Sequence, residues 1–98
     1  MNIDIQKAGS KVFVALEGRV DSATAPELEE KLLGELKDIS ELVFDFAKVE
    51  YISSAGLRVL LKAHQSLTYS GTTKVINANQ VVREVFEVTG FTEILTIE

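Results

Sequence analysis

The sequence predicts an α/β fold: an N-terminal β-hairpin, then strands and helices in alternation, giving a mainly parallel, mixed sheet of about five strands covered by helices. Three observations carry that prediction. Short apolar runs with strand character recur around residues 3–5, 12–16, 42–46, 73–77 and 94–97. Between the later runs lie three segments with apolar residues at helical spacing, each opening on Thr, Ser or Asn. Beyond the hairpin the two kinds of segment alternate, which calls for right-handed crossovers between parallel strands.

Taken in order, Ile3 and Ile5 alternate with Asn2, Asp4 and Gln6, the pattern of a half-buried edge strand. Ala8-Gly9-Ser10 is a turn signal, and Val12-Phe13-Val14-Ala15-Leu16 is the second strand of the hairpin. Residues 18–23 read as a polar connection, with Asp21 as a solvated turn acid. The first helix starts at Thr24. Thr24 and Glu27 have the spacing of a capping box, and Pro26 sits in the first turn, where a missing N–H costs nothing. Leu28, Leu32, Leu36 and Ile39 then share one face, with Leu33 beside them.

Leu42-Val43-Phe44-Asp45-Phe46 is apolar on both faces, as expected of a central strand. Residues 47–52 lead from it to Ser53 and Ser54, where the second helix begins. Leu57, Leu60, Leu61, His64 and Leu67 form its buried side, to about Tyr69, and Gly71 stops it. A fourth strand spans residues 73–77. Asn79 caps a third helix with the stripe Val82, Val85, Phe86 and either Val88 or Thr89, and Gly90 ends it. A short last strand covers residues 94–97.

Ninety-eight residues suit a single domain, 1–98, with one core. The net charge of -5 argues against a nucleic-acid partner, since neutralising phosphates needs clustered Lys and Arg. With no cysteine there is no disulfide framework, zinc–thiolate site or catalytic thiol. The first residues have neither the basic head nor the apolar core of a signal peptide, and no apolar run approaches the ~20 residues of a membrane span. These features predict a cytoplasmic protein without a membrane partner.

An enzyme is not expected. A serine hydrolase would need Gly-x-Ser-x-Gly, but Tyr51 and Ile52 precede the serines. The single histidine, His64, lies three turns into the helix, roughly 15 Å from Ser54 at 1.5 Å per residue. It sits on the Leu57–Leu61 stripe and is expected to line the edge of the core. The aspartates have no metal-ligand spacing, and no phosphate-cradling glycine loop is present, so neither cofactor nor metal is predicted. In open sheets of this kind, ligands and partners gather where strands end and helices begin. Asp21, Ser53, Ser54 and residues 77–79 fall in such connections. On local chemistry, Ser53 and Ser54 read either as a helix cap or as a phosphorylation switch, because the N–H groups of a first helical turn suit both.

Leu16-Glu17-Gly18-Arg19-Val20-Asp21 with Thr24-Ala25-Pro26-Glu27-Leu28, Leu42-Val43-Phe44-Asp45-Phe46, and Ile52-Ser53-Ser54-Ala55-Gly56-Leu57 follow one another at a characteristic spacing. In these segments the chain resembles a stand-alone STAS domain, the fold shared by bacterial anti-sigma factor antagonists and the cytoplasmic tails of sulfate transporters. The likeness covers essentially the whole length, and the antagonist branch is the nearer. Those antagonists carry Asp-Ser-Ser-Gly or Asp-Ser-Thr-Gly, and an anti-sigma factor kinase phosphorylates the first hydroxyl residue. Anchored on Gly56, that residue is Ser54. Ser53 stands where the family often has aspartate, which makes it the alternative acceptor, and Ala55 replaces the second hydroxyl.

The resemblance implies partner switching. The unphosphorylated form binds an anti-sigma factor serine kinase of histidine-kinase-like ATPase fold and frees the sigma factor; phosphorylation of Ser54 ends the binding, and a metal-dependent serine phosphatase restores it. Asp21, Thr24, Asp45, Ser53, Ala55, Gly56, Leu57 and Arg58 are the expected surroundings of the phosphosite, with Leu61 a further contact candidate. The alternatives are a STAS module that binds a small anionic ligand or nucleotide, and a scaffold subunit of a stress-signalling assembly.

Overall fold

The computed structural model describes residues 1–98. Its elements are β1 (Asn2–Ala8), β2 (Lys11–Val20), α1 (Ala25–Leu33), β3 (Glu41–Ile52), α2 (Ser54–Gln65), β4 (Thr72–Ile76), α3 (Gln80–Val88), a 3-10 turn (Phe91–Glu93) and β5 (Thr96–Ile97). The five strands form one sheet in the order β1-β2-β3-β4-β5. β1 is antiparallel to β2, with Ile3 opposite Leu16 and Ile5 opposite Val14. All later pairings are parallel, as the alternation of strands and helices requires.

Because the strand order never reverses, right-handed crossovers place all three helices on the same face of the sheet. Val12, Val14, Leu16, Leu42, Phe44, Phe46 and Val75 point to that face and are buried against Leu28 and Leu32 of α1, Leu57 and Leu60 of α2, and Val82 and Phe86 of α3. Phe46 meets the Phe86 ring at 6.1 Å and Phe44 edge-on at 6.2 Å. β3 is central, as its sequence predicts. No helix is long and apolar enough to cross a membrane.

Two strands run further than the apolar runs suggest. β2 continues to Val20, so residues 18–20 belong to the sheet and only residues 21–24 connect it to α1. β3 continues from Phe46 to Ile52. The β2–β3 register shifts twice, between Ala15 and Glu17 and between Gly18 and Arg19. Each bulge breaks the period of two, leaving Ala47 and Lys48 both exposed, and this masks the strand in the sequence.

The helices are shorter than their stripes. α1 ends at Leu33; Leu36 and Ile39 are buried from the following turns, where Asp38 has φ 61°. α2 stops at Gln65 rather than near Tyr69, and Tyr69 lies fully exposed in the loop. β5 keeps only Thr96 and Ile97, because Phe91–Glu93 turns into 3-10 geometry first.

Two end signals are confirmed. Asn79 Oδ1 accepts from the Val82 N–H at 2.8 Å, and Gly90 takes φ 78°, a left-handed conformation that an L side chain resists. Phe91 then packs back on Phe86 at 6.4 Å. His64 lines the core edge as expected: Nδ1 meets the hydroxyl of Thr73, the one buried polar residue, at 2.7 Å.

Candidate functional site at the end of the second and third strands

The last residues of β2 and β3 pair as Arg19 with Tyr51 and Val20 with Ile52. The Ser53 N–H extends this pairing by donating to the Val20 carbonyl at 2.8 Å. The chain turns into α2 immediately afterwards. Ser53 is the N-cap residue (φ -98°, ψ 178°), and its carbonyl accepts the first helical bond from the Leu57 N–H at 2.9 Å.

The two serines have opposite environments. Ser54 is the first residue of the helix and is exposed. Ser53 Oγ is buried, and it is the one buried polar side-chain atom without a hydrogen-bond partner. It makes none of the usual bonds of a capping serine to the first-turn N–H groups. Of the two hydroxyls, only that of Ser54 is presented to solvent.

Gly56 fixes how closely α2 approaches the sheet. A Cβ placed there would stand 2.7 Å from Val20 Cγ1, 2.8 Å from Ile52 Cγ1 and 2.9 Å from the Val20 carbonyl oxygen. No side chain fits that space, so the glycine seats the helix start on the strand ends. Leu57 beside it is buried in the core, while Arg58 points to solvent.

Asp21 organises the neighbouring connection. Its Oδ1 accepts from the N–H of Ala23 at 3.0 Å and of Thr24 at 3.2 Å, and its carbonyl accepts from Ala25 at 2.8 Å. Partial burial pushes the Asp21 carboxyl pKa up. The Ala23 and Thr24 N–H groups, the Thr24 hydroxyl and the Arg19 guanidinium outweigh that effect and hold it below its ordinary value. Asp21 thus braces the turn ahead of α1, while Thr24 makes no side-chain bond to the first turn of the helix and the predicted capping box does not form. The Thr24 hydroxyl instead donates to the Arg19 carbonyl at 2.7 Å and accepts from the Asp21 N–H at 2.9 Å. Arg19 lies 3.6 Å from the Asp21 carboxylate and 5.3 Å from the centre of the Tyr51 ring.

Thus Asp21, Thr24, Ser53, Ser54, Ala55, Gly56, Leu57 and Arg58 gather around the paired ends of β2 and β3. Asp45 does not. β3 runs seven residues beyond it before the helix, roughly 20 Å at the rise of a strand. There Asp45 Oδ1 accepts from the Ala47 N–H at 3.0 Å and from Asn77 Nδ2 at 3.1 Å, bracing the first bulge and tying it to the end of β4. Asn79 Nδ2 likewise reaches the Val49 and Glu50 carbonyls at 3.1 and 3.3 Å. The rim is stepped: β4 ends at the level of Asp45, and β2 and β3 project past it. The extension of β3 hid that step.

Arg19 and Tyr51 are site residues that sequence reasoning missed. Arg19 and Asp21 stand two apart at a strand end, a visible cue, but the Tyr51 contact depends on the bulged register. A groove of about 360 Å³ also opens between α1 and α2, lined by Ser22, Pro26, Glu29, Ala55, Arg58 and Lys62 among others; Ser54, the residue before Ala55, is not part of its lining. Lys62 bridges it to Glu29 at 3.0 Å. A larger cavity of about 590 Å³ lies beside Asp45, along β1 and β2.

The pattern of the STAS domain family matches residues 2–98. The chain is 37% identical over 99 residues to BtrV of Bordetella bronchiseptica, which carries a provisional assignment as an anti-sigma factor antagonist; the match covers 99% of this chain and 85% of that protein. It is 26% identical over 98 residues to the anti-sigma-B factor antagonist of Bacillus subtilis, covering 99% and 90%. Among solved structures, the Bacillus anti-sigma factor antagonist SpoIIAA superposes in its unphosphorylated form with a TM-score of 0.85 at 18% identity, covering 99% of this chain and 88% of that one. Its phosphorylated form superposes with a TM-score of 0.74 at 17% identity, covering 99% and 91%. At such identity the structural likeness speaks for the fold.

Proposed function

The chain belongs to the STAS domain family, on the branch of the bacterial anti-sigma factor antagonists, and from that premise we propose that it is a phospho-regulated antagonist switched at Ser54. In this reading the unmodified protein docks on a kinase-type anti-sigma factor in the cytoplasm, through the rim formed by the ends of β2 and β3 and the first turns of α2. The sigma factor held by that partner is released. Phosphorylation of Ser54 ends the docking, and a metal-dependent serine phosphatase reverses it.

The observation that carries the reading is the contrast between the serines: the exposed hydroxyl of Ser54 at the first helical position and the buried Oγ of Ser53. A kinase needs the acceptor oxygen in reach, and Ser54 meets that need without any rearrangement of the backbone. The modified state suits the fold, because a phosphate at a helix N-terminus faces free N–H groups and the positive end of the dipole. The same group adds about -1.5 to -2 charges to a surface that must be desolvated on docking, and there it repels. Asp21, Thr24 and Gly56 hold the rim in shape, and Arg58 supplies a cation at its edge. The names of the Bordetella and Bacillus relatives support the antagonist assignment.

The test is incubation with ATP and the anti-sigma kinase of the same genome, followed by intact-mass analysis and fragmentation. One phosphoryl group on Ser54 is expected; modification at Ser53 would refute the accessibility argument, and no modification would refute the switch. In a binding assay, Ser54→Ala should retain the partner and Ser54→Asp should weaken it at least tenfold, with both variants folded. Equal binding by the two would also overturn the reading.

A further inference from the structure

We propose that a phosphoryl group on Ser54 folds back onto its own helix and is held by Arg58 at the mouth of the α1–α2 groove. The inference rests on the reading of Ser54 as the acceptor and adds the residue that receives the phosphate within this chain. Ser54, Arg58 and Lys62 stand four residues apart on one face of α2, at the spacing where helical side chains meet. Helical side chains lean toward the N-terminus, so the long Arg58 side chain covers the turn that Ser54 begins. Both residues are exposed, and Arg58 lines the groove with Ser22 and Pro26 across from it.

Arg58 is also uncommitted. The five ion pairs of the protein engage Lys11, Arg19, Lys31, Lys62 and Lys74, and none involves Arg58. Of the other charged groups on the elements packed against this helix, Glu30 of α1 and Lys48 and Glu50 of β3 are exposed and in no ion pair, while Asp21, Arg19 and Lys62 are already occupied. Asp21 holds Arg19 and the N–H groups of its turn, Arg19 lies over Tyr51, and Lys62 is held by Glu29. Ser53 Oγ, buried one residue away, has no partner either. A phosphoryl group arriving at Ser54 therefore displaces no existing contact, and a guanidinium can grip two of its oxygens at once. The switch then acts twice at this edge: it adds an anion and withdraws a cation that the unmodified protein offers to a carboxylate on its partner.

The experiment uses the full chain with phosphoserine genetically encoded at position 54, so no kinase is needed. The second ionisation of the phosphate is followed by phosphorus NMR. An Arg58 contact favours the dianion, so its midpoint should lie below the ordinary value of about 6. Arg58→Gln should raise it by about half a unit, roughly threefold in proton affinity, and Arg58→Lys should restore part of the shift. Lys62→Gln should move it less. An unchanged midpoint in Arg58→Gln would overturn the proposal, as would a larger response to Lys62→Gln. Failure of every kinase to modify Ser54 would sink the proposed function and leave this measurement standing.

Discussion

Replacing Gly56 with alanine tests how the rim is built. The added Cβ would meet Val20 Cγ1, Ile52 Cγ1 and the Val20 carbonyl oxygen, all at under 3.0 Å. The two side chains are buried and the oxygen is backbone, so none can swing aside cheaply; α2 has to lift from the strand ends. Overpacking costs about 1–3 kcal/mol, and with a backbone oxygen among the contacts the upper part of that range, about 2–3 kcal/mol, applies. Alanine returns up to ~1 kcal/mol through its better helix propensity. The net loss is about 1–2 kcal/mol, which in a chain of this size lowers Tm by roughly 4–16 °C. Thermal unfolding followed by circular dichroism gives the comparison, with Gly34→Ala as the control. Nothing lies within 4 Å of a Cβ at Gly34, whose φ of -69° is open to any residue, so that variant should match or slightly exceed the parent. A Gly56→Ala protein that melts with the parent or above it would refute the argument that this glycine seats the helix.

Three further expectations follow from the same surroundings. Ser53→Ala should change stability by less than ~0.5 kcal/mol, against the usual loss of about 1 kcal/mol for removing a serine N-cap, because this hydroxyl makes no bond that alanine would lose; a denaturant midpoint shifted by a full cap's worth would contradict the geometry. Asp21 contributes through its depressed pKa, so its stabilisation is present at neutral pH and is lost as pH falls below its ordinary 3.8 and through the lowered folded value. Asp21→Asn should accordingly show a shallower loss of stability with acid in that window than the parent, and equally steep profiles would count against the carboxylate. Asn79→Ala removes both the cap to Val82 and the links to the Val49 and Glu50 carbonyls, and should cost about 1–2 kcal/mol in urea unfolding.

Much of this architecture could be read from residue types because local and tertiary preferences agree. Asn79, Gly90 and Phe91 mark the limits of α3 by their own chemistry, and the apolar run around Phe44 marks the centre of the sheet. Pattern and structure part where two physical causes leave the same trace. Leu36 and Ile39 continue the spacing of Leu28 and Leu32, but turns bury them just as a helix would. Thr24 and Glu27 have the capping-box spacing, yet the Thr24 hydroxyl turns back to bond the Arg19 carbonyl and the Asp21 N–H ahead of the helix. The family resemblance implies Asp45 around Ser54, but residues 47–52 are no short connection. As bulged strand they carry the helix far from Asp45. The place of Ser54 was legible in the sequence, whereas the opposite fates of the two serine hydroxyls depend on a strand end that no local pattern records.

On the proposed reading, that arrangement lets a switch at Ser54 sit in a small fold without endangering it. The groups that shape the rim are spent on structure: Gly56 on the approach of the helix, Ser53 on the last sheet hydrogen bond through its backbone, Asp21 on its turn, and Leu57 on the core. Ser54 and Arg58 are left at the surface with no structural bond to lose. A charge placed there changes what the surface can bind while adding no strain to the packing beneath. Moving the acceptor one residue back would have the opposite effect. A phosphoryl group on Ser53 would have to force its oxygen out of a buried site at the start of the helix that Gly56 seats. The exposed position is thus the one at which modification can alter binding while the fold stays intact, and the stability of the protein with phosphoserine at 54 should accordingly stay at or above that of the unmodified chain.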